Sequence, residues 1–350
     1  MCYTLADMRS AIAVEGQATE RAERRLMTIL RALADRGRPL GAVRLGHELE
    51  RQGTELSART VRYYLAVMDQ RGWTENLGRR GRRITPEGEQ ELESAFVAEK
   101  VGFVAARVDA LSYRMSFRLG RPQGSIIVNV STVAPEQVGD AARAMIPVFA
   151  AGLGMGRYIV AAPPGTALGE FRVPEGRFAL GTVCSVAING VFLSHGIATV
   201  SKFGGLLELE GGQPKRFTQI IYYEGTTLDP LEIFIKGHMT SVQEAVRTGR
   251  GTIGASFREV PAEATQEVNR IAKRLERAGL GAIMLIGRPS QPLLGLPVTP
   301  GRTGLIVAGG LNPLAAVEES GISTQNHAMG SLFPFEKLQP YEVLAQWAGK

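Results

Sequence analysis

The side chains best suited to chemistry on a nucleic acid lie between residues 57 and 83. This stretch carries seven arginines against two acidic residues, Asp69 and Glu75. Val61, Leu65 and Met68 have the spacing of one apolar helix face, and Ser57 before them is a favourable N-cap. Such a helix fits the major groove, where an arginine can pair with two acceptors of one guanine. The candidate DNA contacts are Ser57, Arg59, Thr60, Arg62 and Tyr63 on this helix and Arg79, Arg80, Arg82 and Arg83 on the hairpin after it. The alternative is a solvated basic face of a protein-interaction module.

The elements around these residues follow the order helix, helix, helix, wing. The predicted elements are helices at about 20–35 and 42–52, a recognition helix that follows Ser57 and ends by Gly72, strands at 73–77 and 82–84, and a helix from Pro86 to about Lys100, with Thr85 as its N-cap. Leu26, Ile29, Leu30 and Leu33 form the apolar side of the first helix, and Val43, Leu45 and Leu49 that of the second. This order is typical of a winged helix-turn-helix domain, expected over residues 20–100 after a flexible leader at 1–19.

The composition of the chain favours an ordinary soluble protein with two or three domains. It has 350 residues, of which 44% are hydrophobic and 21% charged. The sequence contains no long apolar run and no secretory signal, so we expect a cytoplasmic protein without a membrane span. Cys2 and Cys184 are the only cysteines and the four histidines are scattered, so we expect neither a disulfide framework nor a metal site.

The remainder of the chain contains an internal repeat. Residues 124–154 align with 251–281 at a constant spacing, and residues 173–197 align without gaps with 298–322. Each copy has the pattern strand, helix, strand, strand, helix. We therefore predict an α/β effector-binding and dimerisation domain with mixed (α+β) sheets over residues 101–350. Its two copies, at about 124–210 and 251–337, would be related by a pseudo-twofold axis.

The two strand-to-helix junctions that the repeat equates are the best candidates for a ligand site. A helix N-terminus offers unpaired N–H groups to a carboxylate, and two such ends facing each other would suit a small dicarboxylate. Asn312 is the predicted N-cap of the second helix, Arg258 can hold an acid with two hydrogen bonds, and residues 201–205 read as a Gly-rich loop. The candidate ligand residues are Thr182, Cys184, Ser185, Ser201, Lys202, Ser256, Arg258, Gly309, Gly310 and Asn312. Ordinary capped helices with small residues for packing are an equal alternative.

Sequence motifs of known enzymes are absent from the chain. It has no phosphate-binding loop, no G-x-S-x-G elbow, no H-E-x-x-H and no dinucleotide fingerprint, so no catalytic residue and no cofactor are expected. A DNA-reading helix joined to a ligand-sized α/β domain favours a regulator. The alternatives are an enzyme that acts on a small carboxylate and carries an added winged helix, or an adaptor that never contacts DNA.

Several long stretches resemble one known family. They include GTVCSVAINGVFLSHGI, GGLLELEGGQPKRFTQIIYYEG, GASFREVP and GGLNPLAAVEESGI. These motifs resemble the NrpR family of repressors of nitrogen-assimilation genes, with a winged helix followed by one effector module. The resemblance implies a homodimer that binds operator DNA and senses 2-oxoglutarate, which relieves repression. A regulator of another pathway that responds to a different ligand is the alternative.

Overall fold

The computed structural model describes residues 25–34, 38–51, 54, 56–95 and 103–349, and the chain divides into two units at 101/102. The predicted leader at 1–19 lies outside the described residues. In the N-terminal unit the elements are α1 (25–34), α2 (Ala42–Arg51), α3 (Ala58–Gln70), β1 (Thr74–Asn76), β2 (Arg82–Ile84) and α4 (Pro86–Ala95).

The core of the N-terminal unit follows the predicted apolar positions with one exception. Its buried members include Leu26, Ile29, Leu30 and Leu33 of α1, Leu45 and Leu49 of α2, and Val61, Leu65 and Met68 of α3. Three helices followed by a β-hairpin make this unit a winged helix, as predicted. The prediction was wrong for Val43, whose side chain is 53% exposed because it lies off the stripe formed by Leu45 and Leu49.

A third backbone segment extends the wing hairpin at Leu40. The N–H of Leu40 donates to the carbonyl of Arg82 at 3.0 Å, and the N–H of Arg82 donates to the carbonyl of Leu40 at 2.9 Å. Gly81 permits this approach, because a Cβ there would lie 2.3 Å from the Leu40 carbonyl carbon. The wing is therefore fixed to the chain between α1 and α2.

Asp69, near the end of α3, joins the recognition helix to both strands of the wing. Its carboxylate accepts from Thr74 Oγ1 of β1 at 2.6 Å and from Arg82 Nε of β2 at 2.8 Å. Thr74 is buried, and the side chains of Arg82 and Asp69 are only 20% and 24% exposed. The carboxylate therefore sets the position of the wing relative to the helix.

We expect Asp69→Ala to lower the free energy of unfolding of the N-terminal unit by about 1–3 kcal/mol, because it leaves Thr74 and Arg82 without their acceptor. Urea unfolding of the whole chain would be followed by the fluorescence of Trp73, with Trp347, the other tryptophan, replaced by Phe. Glu75→Ala is the matched control, since it breaks the exposed Glu75–Arg83 pair and should cost less than about 1 kcal/mol. Equal losses in the two variants would contradict this role of Asp69.

Helices and strands alternate through the C-terminal unit. Its helices within residues 103–349 are α5 (Val104–Arg114), α6 (Val138–Ala150), α7 (Ala187–Ser194), α8 (Pro230–Lys236), α9 (Val242–Thr248), α10 (Thr265–Arg277), α11 (Asn312–Glu319) and α12 (Ala345–Ala348). Its strands there are β3 (Ser125–Val133), β4 (Tyr158–Ala162), β5 (Ala167–Leu168), β6 (Phe171–Arg172), β7 (Phe178–Val183), β8 (Val200–Glu210), β9 (Gln213–Tyr222), β10 (Gly251–Pro261), β11 (Ile283–Ile286), β12 (Arg302–Ala308), β13 (Gln325–Pro334) and β14 (Gln339–Pro340).

Two antiparallel five-stranded sheets organise this unit. One has the order β13-β3-β7-β4-β14 and the other β11-β12-β10-β8-β9. Strand β8 lies at the end of the first copy but pairs with β10 of the second copy, whereas β13 lies near the end of the second copy but pairs with β3 of the first. Each copy therefore lends one strand to the other, and the predicted duplication appears as this reciprocal exchange.

The helices repeat this arrangement. Helices α6 and α10 lie 127 residues apart at both ends, and α7 and α11 lie 125 apart, as in the sequence alignment. Apolar residues of α6 share one hydrophobic cluster with α11, whereas those of α10 share another with α7. Each of the two main clusters therefore contains residues from both copies.

The segment at residues 201–205 differs from its prediction. It was expected to be a Gly-rich loop, but it lies within strand β8. The glycines serve close packing, because a Cβ on Gly205 would lie 2.5 Å from the Gln219 carbonyl oxygen of β9. In the turn that follows, Gly211 and Gly212, at φ +59° and +75°, connect β8 to β9. No helix of the described residues is long and apolar enough to cross a membrane.

Candidate DNA surface and effector site

The first turns of α3 and the tip of the wing present a basic surface. Arg59, Arg62, Arg79 and Arg80 are exposed and form no ion pair with any described residue. Tyr63 is 65% exposed and its ring lies edge-on against Tyr64, which is part of the core. These five predicted side chains are therefore accessible. The guanidinium groups of the four arginines are not paired with a carboxylate of the described residues, so DNA would not have to displace one.

The other four predicted DNA contacts have partners within the protein. Ser57 caps α3 by accepting from the N–H of Thr60 at 3.1 Å, and the two hydroxyl groups are 2.8 Å apart. Arg82 is bound to Asp69, and Arg83 pairs with Glu75 across the hairpin at 2.8 Å. Their part in DNA binding stays a prediction, but each also shapes the helix or the wing.

Arg258 is the centre of a buried polar cluster in the C-terminal unit. It lies on β10, its side chain has no exposed surface, and it points to the start of α7. Nη1 donates to the Ser185 carbonyl oxygen at 2.7 Å and to Asn189 Oδ1 at 2.8 Å, while Nη2 donates to Ser185 Oγ at 3.0 Å. Asn189 Nδ2 in turn donates to Ser201 Oγ at 2.9 Å. The structure thus brings together Ser185, Ser201 and Arg258 of the predicted set.

The charge of this guanidinium has no partner of opposite sign among the described residues. All its acceptors are neutral, and Nε has no hydrogen-bond partner at all. Burial is the main reason why the pKa of Arg258 is lowered. A buried cation costs free energy unless an anion or several hydrogen bonds compensate it. The site can therefore gain free energy by taking up an anion.

Hydroxyl and thiol groups lie around Arg258. Ser256, two residues earlier on β10, is fully buried with an unpartnered Oγ, although the Tyr223 hydroxyl is near it. Burial raises the pKa of Tyr223 far above its usual value and raises the pKa of the Cys184 thiol to about 11. Both groups are therefore protonated at neutral pH, and the Tyr223 hydroxyl can donate a hydrogen bond to an acceptor on a ligand. Cys184 is buried and its thiol stays protonated, so we do not expect it to act as a nucleophile.

Two acidic side chains, Asp229 and Glu232, lie near the cluster. Asp229 caps α8 by accepting from the N–H of Leu231 at 2.9 Å, and burial raises its pKa. Burial also raises the pKa of Glu232 to about 7, and its carboxylate accepts from the N–H of Ala328. Arg107 of α5 donates to the Ala328 carbonyl oxygen at 3.1 Å. Helix α5 is thereby tied to β13 next to the cluster.

The two strand-to-helix junctions contact each other directly. Thr182 Oγ1 donates to the Gly310 carbonyl oxygen at 2.8 Å, and a Cβ on Gly310 would lie 2.2 Å from the Val183 carbonyl oxygen. A Cβ on Gly309 would likewise lie 2.8 Å from the Gly254 carbonyl oxygen. The structure leaves no space for a ligand between the helix ends, so it does not support the expected bridge between them. The ligand role of Thr182, Gly309 and Gly310 stays a prediction, and their contacts are those of packing.

Asn312 was predicted to be the N-cap of α11, and this was wrong. Leu311 occupies the cap position, and Asn312 is the first helical residue. Its amide instead accepts from the N–H of Gly254 at 2.8 Å and donates to the carbonyl oxygens of Leu153 and Gly254 at 2.7 and 2.9 Å. The side chain therefore joins the start of α11 to strand β10 and to the residues after α6. With these hydrogen bonds made, little capacity is left for a ligand.

We expect Gly310→Ala to destabilise the C-terminal unit by about 2–4 kcal/mol, because the clash is with backbone atoms that cannot move independently. Urea unfolding followed by Trp347 fluorescence, with Trp73 replaced by Phe, measures this loss. Gly120→Ala is the control, since its Cβ would meet only the end of the Arg274 side chain at 3.7 Å. If both variants unfold at the same urea concentration, the packing at this junction is looser than the structure indicates.

Sequence reasoning missed Asn189, Tyr223 and Asp229. Asn189 lies four residues after Ser185, one helical turn on, which is a signal that could have found it. Tyr223 and Asp229 lie between β9 and α8, far from Arg258 in sequence, and no local pattern marks them. Lys202 was included, but its side chain forms no hydrogen bond with the described residues, and its backbone carbonyl oxygen accepts from the N–H of Tyr223 at 3.1 Å.

Comparisons with known proteins give a matching family profile for each of the two units. Residues 101–340 match the family profile described as NrpR regulatory domains NRD1 and 2, and residues 27–92 match that of the ribonuclease R winged-helix domain. The global nitrogen regulator NrpRI of Methanosarcina mazei is 31% identical over 91% of this chain and 98% of its own length. The global nitrogen regulator NrpR of Methanococcus maripaludis is 27% identical over 87% of this chain, which spans 53% of that longer protein.

A solved structure shares the fold. The crystal structure of a nitrogen repressor-like protein from Methanococcus jannaschii superimposes with a TM-score of 0.59 at 25% identity. The match covers 68% of this chain and 98% of that one. Together with the profile that covers most of the chain, these relatives show that the chain belongs to the NrpR family, a family of nitrogen regulators rather than enzymes.

Proposed function

We propose that this protein is a DNA-binding repressor of nitrogen-assimilation genes whose operator binding is relieved by 2-oxoglutarate. It would act in the cytoplasm as a homodimer, with the two recognition helices contacting two half-sites of a palindromic operator. The exposed, unpaired arginines of α3 and the wing support the DNA-binding part of this proposal. Arginines on a helix can read guanines, and those on a wing can contact phosphates.

The observation that carries the sensing part is the buried, unpaired guanidinium of Arg258. Its planar array of donors matches a carboxylate, which would supply the missing negative charge. 2-Oxoglutarate has two carboxylates and a keto oxygen, and the Ser256 and Tyr223 hydroxyl groups are suitable donors to its remaining acceptors. Because the site is closed in this structure, ligand binding requires part of its cover to move.

Helix α5 is the element of the C-terminal unit through which we propose that ligand binding acts on the winged helix. Its Val104, Val108 and Leu111 share a hydrophobic cluster with Cys184, Val186, Tyr223 and Met329, which surround the site. Along the chain, α5 is also the first described helix after the N-terminal unit. A ligand that displaces this cluster would move α5 and change the operator affinity. It can do so only by preferring the non-binding arrangement, and a tenfold preference corresponds to about 1.4 kcal/mol.

The test is a calorimetric titration of the full chain with 2-oxoglutarate, with succinate and glutamate as controls. DNA binding would be measured in parallel by fluorescence anisotropy with a fragment from upstream of a nitrogen-assimilation gene. We expect binding selective for 2-oxoglutarate and loss of the DNA complex over the same concentrations. DNA binding without any response to 2-oxoglutarate would leave a winged-helix regulator with a different ligand and would remove this assignment.

A further inference from the structure

Because of the duplication, the site around Arg258 has an equivalent position in the other copy of the repeat. The residues at the two positions differ. The repeat spacing equates Arg258 with Ser131 and Asn189 with Leu314. The strand registers agree with this correspondence: Arg258 pairs with Ser201 across β10 and β8, and Ser131 pairs with Asn326 across β3 and β13. The second position therefore has a hydroxyl group where the first has a guanidinium.

The Ser131 position is closed by its own hydrogen bonds. Ser131 Oγ donates to Asn326 Oδ1 at 2.6 Å, and both residues are buried. Asn129, the equivalent of Ser256, donates to Thr182 Oγ1 at 3.3 Å and accepts from the N–H of Met329 at 3.2 Å. One amide group, Asn326 Nδ2, is left without a partner, and it is neutral. Leu314, at the position of Asn189, is fully buried and apolar. The side chains at this position are all neutral, so none of them offers a positive charge to an anion.

The Arg258 position has the opposite character. Arg258 Nε and Ser256 Oγ both lack partners, and neither side chain has any exposed surface. The acceptors of Arg258 come from the first copy, through Ser185 and Asn189, whereas Arg258 and Ser256 come from the second. The buried charge without a counter-charge therefore lies where the two copies meet, at only one of the two equivalent positions among the described residues.

We infer that each chain binds a single carboxylate ligand, at Arg258, and that the equivalent position around Ser131 has become part of the structural core. This inference rests on the proposed function, because it takes the ligand to be the carboxylate effector. The site is composite, since each copy supplies half of its polar groups. A homodimer accordingly binds two ligands, although its two chains contain four copies of the repeat.

Calorimetry with 2-oxoglutarate on the full chain measures the number of sites. We expect one site per chain, a Kd raised about 100-fold or more in Arg258→Met, and a Kd within about twofold of the wild type in Ser131→Ala. Two sites per chain, or equal losses of affinity in the two variants, would overturn the inference. If the wild type fails to bind 2-oxoglutarate, the proposed function fails, and the stability of the ligand-free variants then decides between the two positions.

Urea denaturation of ligand-free variants provides this second measurement. Arg258→Met/Asn189→Leu removes the buried charge together with the Asn189 Oδ1 acceptor, while the Ser185 carbonyl oxygen keeps the N–H of Ile188 as a donor at 3.2 Å. This double variant should leave the midpoint unchanged or raise it, because a buried ionic group is often replaced without loss when its partners become apolar with it. Ser131→Ala leaves the buried Asn326 Oδ1 without its donor and should lower the midpoint. The reverse order, with the double variant the less stable, would identify Arg258 as the structural residue and would refute the inference whatever the ligand is.

Discussion

Arg258→Met is expected to yield a protein that still binds its operator but no longer releases it when 2-oxoglutarate is added. The guanidinium is the buried cation without a partner of opposite charge, and methionine fills a similar volume without charge. Loss of a buried charge-assisted pair with a ligand typically costs about 2–5 kcal/mol, and a loss of about 2.7 kcal/mol raises the effector concentration for half-release about 100-fold, which is the rise we expect. Fluorescence anisotropy of labelled operator DNA over a range of 2-oxoglutarate concentrations measures this shift directly.

Two further variants make the result specific to the guanidinium. Arg258→Lys keeps the charge but loses the planar array of donors, so its response should lie between those of the wild type and Arg258→Met. Arg270→Met is the matched control: it makes the same substitution in the same copy, at an exposed residue that pairs only with Glu267. Release of Arg258→Met from DNA at the wild-type effector concentration would show that the ligand lies elsewhere.

The double variant Arg59→Ala/Arg62→Ala is expected to lose about 100-fold in operator affinity at constant salt concentration. Each bidentate contact with a base contributes about 1–3 kcal/mol, and both side chains are exposed, whereas Val61 and Leu65 of the same helix are buried. The loss should be much smaller on DNA of unrelated sequence, because contacts with bases carry the preference for the operator. Titrations of operator and unrelated DNA at the same salt concentration separate these effects.

The wing provides a contrasting variant. Arg79→Ala/Arg80→Ala should weaken binding to both DNAs alike and lower the dependence of log affinity on log salt by about 2, as expected for two lost phosphate contacts. Arg247→Ala/Arg270→Ala, at two exposed arginines of the other unit, controls for the change in net charge. An operator affinity that is unchanged in Arg59→Ala/Arg62→Ala would favour a winged helix that contacts protein instead of DNA.

Local patterns in the sequence predicted most elements of this fold. The spacing of Val61, Leu65 and Met68 predicted α3, and the repeat predicted that strands and helices alternate in the same order in both copies. The constant offset between the copies likewise predicted the positions of α6 and α10. These features depend on residues close in sequence or on similarity between segments, and both are visible without knowledge of which strands pair.

What the sequence did not predict depends on distant contacts. Residues 201–205 read as a loop because two glycines weaken a strand pattern, but packing against β9 and α8 requires glycine in that strand. Asn312 resembles an N-cap, but its amide bonds to Leu153 and Gly254, which are 159 and 58 residues away. Arg258 was one of several candidates in the sequence. It stands out only when its burial and its missing counter-charge are known.

The exchange of β8 and β13 between the sheets has a consequence for how the protein is made. Val130 of β3 pairs with His327 of β13, 197 residues later, so the first sheet cannot be completed until β13 has left the ribosome. Pairing over such separations slows folding and leaves strand edges exposed in the meantime. Neither copy of the repeat can therefore fold on its own as synthesis proceeds, and the duplicated unit must be acquired, lost or inherited as a whole.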